Sequence, residues 1–483
     1  MNPYDAGVTW RPAEPRLPIV GLIGLAALGI GFLAAAYSLP IDDFWLTLAS
    51  GRAILDGAPL GQAVDFTWTP MVEGALNPQW AAQLILALPG FTGGALAINA
   101  ALIGIGLLAT TARATSRVSG FGVAAAMLLV TAAVAPHLLA RAQSFSIALL
   151  PVALLLLERF RSRLWLPPAY ALLMMVWANV HGAFVVGQVA AGAALVAALI
   201  ERRRVGVLTA TAVAALVAPV ANPAGIELLT YAYAQPGLDL IRQISVEWQP
   251  AFPWIPLTWL FWVQAVVLVA FRFAQRGKAP LTDIILAAGL LVLAIASLRQ
   301  IPWFCLATAP MLAADLSTLA GGRLDRLTRV PAWLSGNAGR RTLIIAALVA
   351  VAIQPLRPLL PQPIGRVTPD APVSLAAKLE TDLSDGSPHR ILNEQVWGGY
   401  LVYELDGRIE TAMDGRIEIR DRATWSNYFS LMRGEDDPAA TLAAADVSWA
   451  VLARDRATLV DKLSSAGWRT VANSPQGVLM AAP

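Results

Sequence analysis

The chain has 483 residues, of which 57% are hydrophobic and 14% charged, and its formal net charge at pH 7 is +3. Soluble domains carry about 25% charged residues, so this composition and the mean hydropathy of +0.60 exclude an ordinary soluble protein. The single cysteine, Cys305, excludes an intrachain disulfide. We expect an integral membrane protein that contacts membrane lipids and has no nucleic-acid partner.

A helix needs about 20 mostly apolar residues to cross a bilayer, and eleven apolar runs of roughly this kind occur along the chain. They lie at 18–39, 93–112, 119–136, 144–158, 164–180, 183–200, 205–221, 255–271, 280–297, 301–318 and 341–356. We expect the first run to be retained, since no small-residue cleavage site follows it. The runs predict a mainly α-helical, polytopic transmembrane bundle over residues 1–358.

The positive charges between these runs indicate an orientation. If the N-terminus lies inside, the inner segments carry 18 Lys and Arg residues. The outer loops before the C-terminal region carry four, namely Arg52, Arg141, Arg242 and Arg299. Positive charge favours the cytoplasmic side, so the sequence predicts an N-in, C-out topology with the polar loops outside. No phosphate-binding glycine loop is present, and a transfer reaction outside would need a donor carried by the membrane.

Two adjacent carboxylates, Asp42 and Asp43, directly follow the first run in "DDFWLTLASGRAILDG". Ionised groups beside lipid are costly unless water reaches them or a function requires them. We predict an interfacial helix at 42–56, on which Asp43, Thr47 and Ser50 share one face. Asp43 would then point into a cavity, and capping of the helix is the alternative role for either aspartate.

The remainder of the first outer loop adds Asp65 and, at the start of a second interfacial helix predicted at 77–91, the residues Asn77 and Trp80. An amide beside an indole is a common arrangement for binding sugars. The alternative for Trp80 is the aromatic belt that membrane proteins place at the lipid–water interface.

The other outer span ends and the long outer loop carry six more candidates: His137, Arg141, Asn179, His181, Glu247 and Arg299. Imidazole can bind a metal or move a proton, and a guanidinium can bind phosphate oxygens with two donors. The alternative for the histidines is a hydrogen bond that joins two helices, and for the arginines a salt bridge to an outer carboxylate.

Beyond residue 365 the composition changes to a mixture of charged, aromatic and turn residues. Strands are predicted near 389–394, 408–412, 447–453 and 468–473, and helices near 396–405, 421–432, 437–445 and 455–466. This alternation predicts a small extracytoplasmic α/β domain at 374–483. A proline-rich linker at 359–373 joins it to the bundle. This domain could bind acceptor glycan or a partner, but we favour the interpretation of its "WGGY" and "MDGR" as turn and packing residues.

The order of these motifs resembles a bacterial branch of the C superfamily of membrane glycosyltransferases, which use polyprenyl-phosphate sugars. These enzymes place an acidic residue just after the first span, followed by amphipathic helices. The matching positions are Asp43, Gly51, Ile54, Asp65, Phe66, Asn77 and Trp80, with "RAQ" at 141–143, "NVHG" at 179–182 and "NEQVWGGYLVYEL…MDGR" at 393–416.

The resemblance implies an inverting transfer of a sugar from a polyprenyl-phosphate carrier to a glycan, lipid or protein acceptor, outside a bacterial inner membrane. Asp43, with Asp42 as its stand-in, would act as general base. Arg141 and Arg299 would meet the charge of the lipid phosphate. The other substrate-binding candidates are His181, Asn179, Asn77, Trp80 and Glu247.

Many relatives carry a second acidic residue in the second outer loop, which this chain lacks around 137–143. Either Asp65 and His137 substitute as ligands of a divalent cation, Mg²⁺ or Mn²⁺, or the metal is absent. Two other functions stay open. One is a metal-independent oligosaccharide ligase or polymerase that uses outer Arg and His residues. The other is a non-enzymatic transporter or envelope scaffold, although the repeated halves typical of transporters are not seen.

Overall fold

A computed structural model describes residues 43–118, 121–234, 239–275, 279–320, 370–383 and 388–483. Four predicted features lie outside these residues: the span at 18–39, the span at 341–356, Asp42, and the part of the linker before residue 370. Everything below refers to the described ranges.

The described part of the chain up to residue 320 is helical. Its helices are α1 (Asp43–Leu55), α2 (Trp80–Ala87), α3 (Thr92–Thr115), α4 (Phe121–Val134), α5 (Gln143–Phe160), α6 (Leu166–Val180), α7 (Phe184–Ile200), α8 (Gly206–Val217), α9 (Glu227–Ala234), α10 (Asp239–Ile244), α11 (Trp259–Gln275), α12 (Leu281–Ala296) and α13 (Ile301–Ala320). A helix therefore coincides with each span predicted between residues 93 and 318. The two predicted interfacial helices correspond to α1 and α2.

Three helical stretches are apolar and long enough to cross a membrane: Thr92–Thr115, Gln143–Phe160 and Pro256–Ala274. Shorter apolar helices at Phe121–His137, Leu166–Val180, Phe184–Ile200, Gly206–Val220 and Leu281–Ala296 accompany them. Their outer faces expose many large apolar side chains, as lipid-facing helices do. The total of eleven spans and the orientation remain predictions.

Small residues let pairs of bundle helices approach closely. A Cβ on Gly106 of α3 would stand 2.2 Å from the carbonyl oxygen of Ile147 on α5. A Cβ on Gly122 of α4 would stand 2.4 Å from the carbonyl oxygen of Ala313 on α13. Such contacts bring backbones together where lipid supplies no hydrophobic driving force between helices.

Arginines predicted for the inner side hold the bundle together. The buried guanidinium of Arg113 donates to Glu158 at 2.7 Å and to the carbonyl of Leu306 at 3.3 Å. Arg117 forms ion pairs with Glu158 and Asp283. These bonds join α3, α5, α12 and α13, and removal of one buried partner would leave an uncompensated charge.

Residues 373–483 form an α/β unit around one mixed sheet. Its elements are α14 (Val373–Asp382), β1 (His389–Asn393), α15 (Gly398–Leu405), β2 (Ile409–Thr411), α16 (Arg422–Met432), α17 (Pro438–Ala444), β3 (Val447–Ala453), α18 (Ala457–Ser465), β4 (Arg469–Asn473) and β5 (Gly477–Ala481). The strand order is β2-β1-β3-β5-β4, with β1 parallel to β2 and β3, and β5 antiparallel to β3 and β4. The four predicted strands are confirmed, and β5 is an additional strand.

The first outer loop is bound to this unit by backbone hydrogen bonds. Thr411 N–H donates to the Phe66 carbonyl at 3.0 Å, and Trp68 N–H donates to the Thr411 carbonyl at 3.0 Å. Helix α1 packs on α15, where the Trp45 ring meets the rings of Tyr400 at 5.4 Å and Tyr403 at 4.9 Å. The α/β unit therefore packs directly against α1, which carries Asp43, and against the loop that follows α1.

The contact between α1 and α2 yields a stability prediction. A Cβ on Gly51 would stand 2.2 Å from the carbonyl oxygen of Gln83 and 2.5 Å from the Cβ of Ala87. Gly51→Ala must push the helices apart, and overpacking of this kind costs about 1–3 kcal/mol. We expect an unfolding temperature several degrees lower in a thermal-shift assay of the detergent-solubilised protein.

Gly192→Ala on α7 is the matched control, because no heavy atom lies within 4 Å of its added Cβ. Equal unfolding temperatures for the two variants would contradict the close approach of α1 and α2.

Candidate active site

A cavity of about 560 Å³ lies between the bundle, the first outer loop and the α/β unit. It collects polar side chains from helix ends far apart in sequence. Six predicted site residues line it: Asp43, Asn77, Arg141, His181, Glu247 and Arg299. The structure thus brings the first residue of α1 together with the turns that precede α5, follow α6 and precede α11.

Arg141 is the centre of the charged cluster. Its guanidinium binds Oδ2 of Asp43 through Nη1 at 2.9 Å and Oε1 of Glu247 through Nη2 at 2.6 Å. The side chain of Arg141 is 7% exposed, whereas that of Asp43 is 49% exposed. A buried cation therefore holds a carboxylate that remains open to the cavity.

A second arginine lies on the other side of Glu247. Arg299 Nη1 is 3.8 Å from Glu247 Oε2, and its guanidinium lies over the Trp248 ring at 5.3 Å from the ring centre. Burial alone would raise the pKa of Glu247, but Arg141 and Arg299 outweigh it and lower that pKa to about 2. Burial alone would lower the pKa of Arg141, but the charges of Glu247 and Asp43 outweigh it and raise that pKa. Glu247 and Arg141 are therefore both ionised at neutral pH and form a charged pair.

His181 lies next to Arg299 in the cluster. Its Nε2 lies 3.5 Å from Arg299 Nη2, and its Nδ1 lies 2.7 Å from the hydroxyl of Ser146, which also accepts from Trp177 Nε1. Burial, followed by the charges of Arg299 and Arg141, lowers the pKa of His181 well below its ordinary value. The imidazole is therefore neutral at pH 7 and can face a guanidinium without repulsion.

The predicted sugar-binding residues divide into two groups. Asn77 lines the cavity, and its amide donates to Gln83 Oε1 at 2.6 Å. Trp80 and Asn179 instead bind each other, with Trp80 Nε1 donating to Asn179 Oδ1 at 2.8 Å. Asn222 donates to the same oxygen at 3.1 Å. Trp80 and Asn179 therefore tie α2 to α6 and do not line the cavity.

The α/β unit supplies a wall of the cavity that the sequence interpretation missed. Residues 415–419, which begin inside "MDGR", line it together with Tyr231 of α9. They follow β2 and neighbour the residues that follow β1, at the carboxyl edge of the parallel strands. Ligands commonly bind outside that edge in α/β sheets. The edge was thus a signal that could have marked Glu418 as a cavity residue.

No protein-family model and no curated protein sequence matches the chain. Solved structures do match. The apo oligosaccharyltransferase of Archaeoglobus fulgidus superposes with a TM-score of 0.57 and 12% identity, covering 92% of this chain and 70% of that one. ArnT from Cupriavidus metallidurans, bound to undecaprenyl phosphate, gives 0.56 and 15%, covering 95% and 97%. Mycobacterial arabinofuranosyltransferase AftD gives 0.53 and 16%, covering 96% of this chain and 40% of AftD.

These neighbours belong to the C superfamily of glycosyltransferases. The chain has the C-superfamily fold. The resemblance stated from the order of the sequence motifs is thereby confirmed for the fold, including the helical bundle and the small sheet.

The two predicted metal ligands have separate surroundings. Asp65 accepts hydrogen bonds from the backbone and hydroxyl of Thr67, at 3.1 and 2.9 Å, and lies 4.0 Å from Arg420. His137 is buried in the turn before Arg141, within electrostatic range of Arg141 and Glu247.

Among the described residues, no group of three or more His, Cys, Asp or Glu side chains is arranged to hold a metal ion. Two of the carboxylates that line the cavity, Asp43 and Glu247, already share the guanidinium of Arg141. The described donor set does not fit a divalent cation.

The depressed pKa of Glu247 predicts how stability depends on pH. A carboxyl with a pKa of about 2 in the folded protein and an ordinary one when unfolded stabilises the fold above about pH 5, and loses this effect as the pH falls toward 2. The unfolding temperature of the wild type should exceed that of Glu247→Gln by a constant amount between pH 8 and 6, and the gap should shrink below about pH 5.

Glu410→Gln is the control, since Glu410 pairs with Arg390 at the surface and exposed pairs contribute little. A gap that widened on acidification would contradict the charged state assigned to Glu247.

Proposed function

We propose that the protein transfers a sugar, with inversion, from a polyprenyl-phosphate carrier to a glycan, lipid or protein acceptor. We further propose that it does so outside a bacterial inner membrane, with the α/β unit on the same side. One observation carries the proposal: the half-exposed carboxylate of Asp43, held by Arg141, faces a cavity that also contains Arg299. Support comes from the fold. Undecaprenyl phosphate is bound in the similar structure of ArnT, and dolichol phosphate in that of AglB, the oligosaccharyltransferase of Archaeoglobus fulgidus.

In this mechanism Asp43 is the general base. The acceptor hydroxyl gives its proton to the carboxylate while its oxygen forms a bond to the anomeric carbon. The bond between that carbon and the phosphate oxygen breaks, and the phosphate leaves with the electron pair. A single displacement inverts the anomeric centre. Because Arg141 binds Oδ2, Oδ1 is the oxygen available to the hydroxyl.

The arginines supply the counter-charge. Negative charge grows on the leaving phosphate, and fixed cations stabilise it most in a site with little water. Arg299 is more exposed than Arg141, at 27% against 7%. Arg299 would therefore contact the phosphate, while Arg141 orients the base. A guanidinium matches phosphate oxygens with two parallel donors.

A metal-independent oligosaccharide ligase or polymerase is the second candidate. The cavity position of Arg141, His181 and Arg299 favours it, since such an enzyme would bind its lipid-linked substrate through these side chains. Loss of activity in Arg141→Ala or His181→Ala, with retention in Asp43→Asn and in the presence of chelator, would select this candidate.

The central test replaces Asp43 by asparagine, which can still accept a hydrogen bond from Arg141 but cannot take a proton. We expect transfer to fall by about 10²–10⁴-fold, while expression stays close to wild type and the unfolding temperature falls less than in Glu247→Gln, because Asp43 is half exposed. The readout compares envelope glycans of a deletion strain complemented with wild type or variant, together with release of undecaprenyl phosphate by the purified protein.

Asp56→Asn is the matched control, because this exposed carboxylate follows the same helix and lies outside the cavity. Wild-type activity in Asp43→Asn would remove Asp43 from the mechanism.

A second test concerns the phosphate. Arg299→Gln should weaken binding of undecaprenyl phosphate by about 10-fold or more, since bonds to charged groups are among the strongest. Binding is measured by ligand-dependent thermal shift of the protein in nanodiscs. Arg242→Gln, at an exposed arginine of α10, should bind like wild type. Unchanged binding in Arg299→Gln would assign the phosphate to other groups.

A further inference from the structure

The wall formed by residues 415–419 carries a carboxyl group that the proposed mechanism does not use. Glu418 lines the same cavity as Asp43 and accepts a hydrogen bond from the hydroxyl of Tyr231 at 3.2 Å. Tyr231 belongs to α9 of the bundle side and Glu418 to the α/β unit. The pair therefore bridges the two parts of the protein inside the cavity.

The charge balance distinguishes this pair from the Arg141 cluster. Burial raises the pKa of Glu418, and the hydrogen bond from Tyr231 and the charges of Arg299 and Arg416 offset only part of that rise. Burial, followed by the proximity of Glu418, keeps Tyr231 as a neutral phenol by raising its pKa. The pair therefore offers hydrogen-bond donors and acceptors and no cation. Such a set suits hydroxyl groups and disfavours a phosphate.

The loop that carries Glu418 is held rigidly. Arg416 forms an ion pair with Asp414 and donates to the carbonyl of Val64 at 2.7 Å. Directly before Glu418, the indole of Trp425 donates to the carbonyl of Ile417 at 3.1 Å, and directly after it the carbonyl of Ile419 accepts from Val72 N–H at 2.9 Å. A binding group fixed by its surroundings loses little entropy when a ligand binds, so Glu418 is pre-organised for recognition.

We propose that Glu418 and Tyr231 bind hydroxyl groups of the acceptor, which makes the acceptor a polyhydroxylated glycan and Glu418 a specificity-determining residue. This inference rests on the proposed sugar transfer. The donor phosphate belongs at Arg299, and the acceptor at the Glu418–Tyr231 pair, where the α/β unit meets α9. The amides of Asn77 and Gln395 and the indole of Trp248 also line the cavity and provide the planar polar groups and aromatic face common in sugar sites.

The hydrogen-bonding groups of the pair exclude acceptors that lack hydroxyl groups. A site built to hydrogen-bond hydroxyls leaves buried polar groups unpaired when a ligand without hydroxyls binds, and such ligands are rejected strongly. Neither an acyl chain nor a peptide backbone offers neighbouring hydroxyls to a carboxyl and a phenol together.

The test separates acceptor binding from catalysis. The full chain is reconstituted in nanodiscs with a panel of undecaprenyl-phosphate-linked hexoses and pentoses. Release of undecaprenyl phosphate is followed without acceptor, when water receives the sugar, and with oligosaccharides released from the envelope of the deletion strain. Glu418→Gln and Tyr231→Phe should raise the KM for the oligosaccharide by about 10-fold and leave release into water unchanged.

Two matched controls keep the wild-type KM. Glu410→Gln changes an exposed carboxylate of β2 in the same unit, and Tyr233→Phe removes a hydroxyl that donates to Gln188 at 2.6 Å. An unchanged KM in Glu418→Gln, or equal losses of glycan transfer and release into water, would overturn the assignment.

A binding measurement tests the glycan site even if the proposed sugar transfer is wrong. Oligosaccharide binding is measured by intrinsic tryptophan fluorescence without any donor. If no donor is ever consumed, wild-type binding that weakens about 10-fold in Glu418→Gln still supports the glycan site, and equal binding by both proteins overturns it.

Discussion

The bond network of Arg141 is the constraint on which the site depends. A buried guanidinium costs several kcal/mol unless carboxylates surround it, and here Asp43 and Glu247 both do so. The cost of burying the charge fixes where the two acids stand. Asp43 consequently lies on α1 at the edge of the cavity, and Glu247 holds Arg299 next to it. The groups to which we assign the proposed chemistry are thus the same groups that form the ion pairs of the fold.

Much of the bundle could be predicted because apolar runs are long, and because charges and prolines interrupt them. The strands of the α/β unit were found from alternation with helices. β5 follows β4 after only the three residues 474–476, with no helix between the two strands, so the alternation of strands and helices does not mark it. Its hydrogen bonds to β3 are a tertiary effect.

Most residues of the candidate site could be predicted, but which of them bind one another could not. Asp43, Arg141 and Glu247 could be selected because outer charges beside lipid need a reason. Their bonds join residues 98 and 106 positions apart, a distance that no local pattern encodes. Trp80 and Asn179 illustrate the same limit, since both were selected and the structure pairs them with each other. Glu418 escaped selection because "MDGR" looks like an ordinary turn.

The pairing of the first outer loop with β2 has a consequence for biogenesis. Thr411 reaches Phe66 across 345 positions of the chain, and at about 5–20 residues per second roughly 20–70 s of synthesis separate the two. Throughout that interval the backbone groups of Phe66 and Trp68 lack the hydrogen bonds that Thr411 provides. The cavity is complete only after residue 419 has been synthesised, so nascent fragments that end before it should be inert in the proposed transfer.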